Sequence, residues 1–133
     1  VCGPYGPMSN LNWHLHPETM QEKERLVRPL AAFCAEMAML QLEKELHWIV
    51  EQPNPSRLFE VGRWPKVLKH PQVCRIAYHR CVCQLKVTYG KFKGLFQKKP
   101  STMTASAMEL IEPFRGCICR HHPEQHLSGM SHS

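Results

Sequence analysis

The chain has 133 residues and a mass of 15.4 kDa, enough for one domain with a core and too few for two ordinary ones. With 43% hydrophobic residues it reads as a folded chain, and no run approaches the ~20 apolar residues that a membrane span needs. The net charge of +6 is unevenly placed: there is no Asp, the acidic residues gather between Glu18 and Glu60, and none lies between Glu60 and Glu109, so RNA, DNA or an acidic protein surface is the expected partner, against the plainer reading of a solvated basic loop.

In chain order, residues 1–19 read as an extended loop rich in Pro and Gly, starting with VCGPYGPMSN. A helix is predicted from about 29 to 45, with Pro29 in its first turn. Its expected core stripe is Leu30, Phe33, Met37 and Leu40 at intervals of three and four, widened by Ala31, Cys34 and Ala38. Trp48-Ile49-Val50 reads as a short strand ended by Glu51 and two prolines. Residues 57–70 predict a short helix, and VCRIAY and QLKVTYG predict strands, the second closed by Gly90. Lys91 to Pro100 is a basic loop, STMTAS a further strand, and AMELIEPF a short helix stopped near Pro113. The alternation of helix and strand predicts an α/β domain with mainly parallel pairing. This divides the chain into an N-terminal loop (1–19), a partial α/β core (20–113) and a Cys/His-rich tail (114–133).

Cysteine chemistry is the next signal. Seven cysteines fall as Cys2, Cys34, Cys74, Cys81-Val-Cys83 and Cys117-Ile-Cys119, and an odd number argues against a secreted disulfide scaffold. A reducing compartment inside a cell or organelle is the expectation. Cys81 or Cys83, Cys117 or Cys119, His121 or His122, and His126 could supply four ligands to zinc. The Cys-X-Cys spacing is shorter than the usual two to four intervening residues, so unliganded thiols and a disulfide stand beside the zinc reading. The segment KVTYGKFKGLFQKK interleaves Tyr89, Phe92 and Phe96 with lysines. Lys86, Lys91, Lys93, Lys98 and Lys99 can neutralise phosphates while Phe92 stacks on a base; the alternative is that the rings belong to the core.

The ordered blocks CGPYGPMSNLN, the amphipathic helix, WIVEQP, HRCVCQL, QKKPSTMTAS and CRHHPEQHLSG together resemble the C-terminal part of cytosine-5 methyltransferase-like proteins of phages and mobile elements. The resemblance implies a partial Rossmann-like, methyltransferase-type sheet with flanking helices and a Cys/His-rich C-terminal tail. It also implies that Cys2 stands where the family has the nucleophile that attacks cytosine C6, and Glu51 where it has the carboxylate that contacts the base. In the tail it selects Cys81, Cys119, His122 and His126 as first-choice zinc ligands, because the related proteins carry a cysteine and two histidines there. Val1, Gly6, Gln52 and His79-Arg80 depart from the family's Pro, Ser, Asn and Asp-Gln. The family's S-adenosylmethionine half, expected before the cysteine loop, has no counterpart, so S-adenosylmethionine is not expected to bind this chain alone. The favoured expectation is therefore a non-catalytic accessory or structural subunit whose partner covers an open sheet edge in a larger assembly. An RNA- or DNA-binding basic module and a methyltransferase-like enzyme fragment are the alternatives.

Overall fold

Pro17 occupies the first turn of a 27-residue helix, α1 (Pro17–Glu43), where its missing N–H has no intrahelical partner to lose. The computed structural model of the chain describes residues 13–127. The expected start at 29 is corrected, because Pro29 lies inside α1. An internal proline removes one helical hydrogen bond and crowds the carbonyl four residues earlier. Buried contacts on both sides of it, Met20 before and Ala31 after, hold both halves of the helix against the domain.

The buried face of α1 also differs from the expectation. Ala31, Ala35, Ala38 and Leu42 face the core, whereas Leu30, Phe33, Met37 and Leu40 are exposed. The reason is a close approach. Trp64, fully buried, donates from Nε1 to the Ala31 carbonyl at 3.0 Å. Gly62 turns the chain at φ +54°, and a Cβ there would lie 3.2 Å from the Ala32 Cβ. Only small side chains fit beneath such neighbours. Trp48 and Phe59 meet Trp64 edge-on at 6.0 and 5.4 Å, and Leu58, Val61 and Val67 complete this core.

Residues 57–70 form a 3₁₀ turn, Arg57–Glu60, and a short helix α2 (Trp64–Leu68), separated by the Gly62 turn. The sheet has three strands, β1 (Ile49–Pro53), β2 (Cys74–His79) and β3 (Pro100–Ala105), in the order β1-β3-β2. Both ladders are antiparallel, with Met103 opposite Glu51 on one side and Ile76 on the other. The expectation of mainly parallel pairing is thus corrected. β1 and β2 do run in the same direction and are joined through α2, but β3 lies between them and takes both sets of hydrogen bonds. QLKVTYG joins no named strand. It forms one arm of a hairpin, with Gln97 N donating to Leu85 O and Val87 N to Leu95 O, each at 2.9 Å. AMELIEPF makes two 3₁₀ turns, Met108–Leu110 and Glu112–Phe114, because Pro113 cannot donate to a continuing helix. A small second core, Ile76, Ala105 and Ile111, lies under these turns. No helix among the described residues is long and apolar enough to cross a membrane.

Because Trp64 joins α1, Trp48 and the 3₁₀ turn, Trp64→Ala should lower stability by about 3–5 kcal/mol, the range for removing a buried aromatic side chain. A urea titration followed by far-UV circular dichroism reads that loss directly.

Candidate metal centre

Cys81 lies in a 3₁₀ turn, Arg80–Cys83, at the end of β2, where it is fully buried while Cys83 is exposed. Gln84 follows in the left-handed region, φ 66°, and sends the chain out into the hairpin. The tail returns beside the end of β2. His79 N donates to the Cys117 carbonyl at 2.9 Å, and Cys119 N donates to His79 Nδ1 at 2.9 Å. These two bonds fix the path of the Cys-X-Cys segment, and Ile118 N donates to the Gly116 carbonyl at 2.8 Å, a tight turn that bends the chain at Cys117. The Cys117 thiol donates to the Pro113 carbonyl at 3.5 Å, and the Cys119 thiol turns toward Cys81 and the histidines. One cysteine of each pair is used, so the short spacing presents no obstacle.

Four ligand atoms, from Cys81, Cys119, His121 and His126, lie within 4.8 Å of one another. A tetrahedral zinc with bonds of about 2.0–2.3 Å places its ligand atoms roughly 3.3–3.8 Å apart, so a small contraction closes the set. Cys119 Sγ is already 3.0 Å from His126 Nε2 and 3.6 Å from His121 Nδ1. Two thiolates and two imidazoles suit a borderline-soft ion, and a set of four leaves no open position for substrate. This group could hold a metal ion such as zinc. Burial first, then the neighbouring Cys119 side chain, pushes the Cys81 thiol up to about 11, so a cation binds there by displacing its proton. Burial, and then Lys98, lowers the His79 pKa and favours the neutral ring that accepts from Cys119 N.

Three of the four expected ligands therefore come together, with His121 in the place expected for His122. The His122 side chain instead accepts from Glu124 N at 3.4 Å, while the His122 backbone N–H donates to Gln125 Oε1 at 2.8 Å. It is the N-cap of a 3₁₀ turn, Pro123–Gln125. The signal was present in the sequence: Pro123 marks a first helical position and Gln125 completes a capping box.

Phe96 ties the centre to the basic hairpin. Its ring stacks on His121 at 3.8 Å between centroids and 15° between planes. Its N–H donates to Gln125 O at 2.8 Å, and its carbonyl accepts from Leu127 N at 3.0 Å. His126 Nδ1 is buried with no hydrogen-bond partner among the described residues. Its ring is positioned by Phe96 and His121, at 6.1 and 5.4 Å, rather than by a carboxylate behind it. Of the other expected site residues, Lys86, Lys91, Lys93 and Lys98 are exposed on or beside the hairpin, and Lys91 Nζ lies 4.8 Å from the centre of the Phe92 ring. Lys99 is half-buried and its carbonyl accepts from Arg80 N. Cys2 lies outside the described residues. Glu51 sits on β1 with Oε2 3.6 Å from Arg80 Nη2. The six described cysteines are all free thiols.

No family model, curated protein or solved structure matches the chain.

Cobalt(II) should titrate to one equivalent, with intense visible bands of a tetrahedral ion and thiolate charge transfer in the near ultraviolet. Cys119→Ser should remove them, whereas Cys83→Ser and His122→Ala should leave them unchanged. Zinc at a free concentration of about 100 Kd should raise unfolding free energy by about 2.7 kcal/mol, reversed by a chelator. A thermal melt with and without chelator measures that difference.

Proposed function

We propose that the chain is a non-catalytic structural subunit of a protein assembly, its tail held by a metal ion and its contact to a neighbour made by the outward face of α1. The observation that carries this reading is a row of large apolar side chains, Leu26, Leu30, Phe33, Met37 and Leu40, each between 38% and 64% exposed. Their spacing of 4, 3, 4 and 3 residues is that of a coiled-coil seam. At 100° per residue the row lies about 150° around α1 from the buried alanines, so the domain leaves it uncovered. Solvated helix faces carry charges, and an apolar row about 20 Å long on a soluble domain marks an interaction surface.

The neighbour we assign is a second copy of the chain. Phe33 lies midway between Leu26 and Leu40, so two copies related by a two-fold axis present the same side chains to each other. Charge is compatible with that pairing. Along the row's rim Glu22 is already held by Arg25 at 2.6 Å and Glu36 by Arg63 at 2.9 Å, so two copies bring these carboxylates together neutralised. Descent from a methyltransferase-type sheet belongs to the same proposal. Its support is that β1 and β2 run in one direction and are linked by a helical crossover, as neighbouring strands of an α/β sheet are.

Light scattering on the purified chain at tens of micromolar should give a dimer or larger species. Phe33→Glu and Phe33→Lys should each be monomeric with unchanged circular dichroism, and an equimolar mixture should restore the dimer. A stable wild-type monomer, or a mixture that stays monomeric, overturns the assignment.

A further inference from the structure

The hairpin from Leu85 to Gln97 carries a second surface, on the opposite chemical principle to α1. Its tip is built by two glycines in the left-handed region, Gly90 at φ 76° and Gly94 at φ 92°, and is closed by Gly94 N donating to Val87 O at 2.9 Å. That turn pushes Tyr89 out until its side chain is 82% exposed, with Phe92 beside it 44% exposed. Beneath them is a cleft of about 670 Å³ whose walls include Lys86, Tyr89, Lys91, Phe92 and Leu127. Lys93 and Lys98 are exposed close by in the chain, and no acidic residue occurs anywhere from 61 to 108.

We infer that this cleft binds single-stranded polynucleotide, with bases stacking on Tyr89 and Phe92 and phosphates neutralised by Lys86, Lys91, Lys93 and Lys98. The charges alone would suit any polyanion; the exposed rings make the distinction. A phenol held almost wholly in water loses apolar hydration only when something flat covers it, and a base with no pairing partner offers such a face. A duplex keeps its bases stacked inside, and the short hairpin supplies neither the helix nor the long ribbon that reads a major groove. An acidic peptide would satisfy the lysines and leave Tyr89 uncovered.

The hairpin is not a loose loop. Phe96 anchors its returning arm, with His121 stacked on the ring and Lys86 Nζ 4.6 Å from the ring's centre. Backbone bonds to Gln125 and Leu127 fix the same residue. The metal-binding tail therefore holds the platform from below, at a distance along the chain from the proposed α1 contact.

The test is fluorescence anisotropy with the full chain, zinc present, and labelled oligouridylate or oligothymidylate of about twelve nucleotides. The probes for comparison are a DNA duplex of the same length and a polyglutamate peptide. The single strands should bind, with log K falling against log salt at a slope of about −2 to −3 for three or four lysines engaged. Tyr89→Ala and Phe92→Ala should each weaken binding about 5- to 150-fold without changing that slope. Lys91→Glu with Lys93→Glu should weaken binding and flatten the slope. Equal or tighter binding of the duplex or the peptide, or ring variants that bind as well as wild type, overturns the inference. Because all these variants lie away from α1, their outcome is separate from that of the dimer test.

Discussion

From Gln84 to Lys99 no residue is buried, and from Ala107 to Leu127 only Ile111 is. Ordering such segments costs about 1–2 kcal/mol per residue in backbone entropy, and hydrophobic burial offsets little of it here. What holds them is a small set of polar links converging on the end of β2: the two bonds between His79 and the Cys117–Cys119 segment, and the cluster of Cys81, Cys119, His121 and His126. A bound zinc at such a site contributes on the order of 10 kcal/mol at neutral pH. A metal ion there would add to these links for a tail and a hairpin with little core of their own.

The first half of the chain solves the same problem by packing. Trp64 is the common neighbour of the α1 alanines, Trp48 and Phe59, and the alanines are small because the chain at Gly62 and the indole must approach the helix closely. This is why the large residues of α1 face outward. In most surface helices the large apolar side chains mark the inner face, and periodicity alone identifies them so. Here periodicity finds two apolar faces, one of small residues and one of large, and the close approach that chooses between them comes from residues thirty positions later.

The elements themselves were largely legible. WIVEQP contains β1, and VCRIAY and STMTAS each cover all but one end residue of a strand, because β-branched and apolar residues alternate between prolines and turn residues. Their pairing was not, since a helix between two strands of one direction suggests that they are neighbours, and nothing local says that a third strand enters between them. The site was legible to the same degree. Residue type and tail composition brought forward Cys81 or Cys83, Cys117 or Cys119, His121 or His122, and His126, but the choice between His121 and His122 depended on reading Pro123 as a helix start rather than on metal chemistry. Choosing between the cysteines of each pair required knowing that the turn at the end of β2 buries Cys81 and exposes Cys83, and that His79 holds the backbone N–H of Cys119.

These supports are separate, and the separation bears on how one small chain can present two surfaces. The row on α1 rests on the core around Trp64, which includes no ligand of the metal cluster. The hairpin rests on Phe96, which touches two of the ligands directly. If the cluster holds a metal, its removal would loosen the tail and the hairpin that leans on it while leaving α1 seated on its alanines. The proposed self-contact then needs only the folded first half, and the proposed polynucleotide platform needs the cluster as well. A basic hairpin without a core of its own thus gains a defined shape only where its His and Cys neighbours are drawn together.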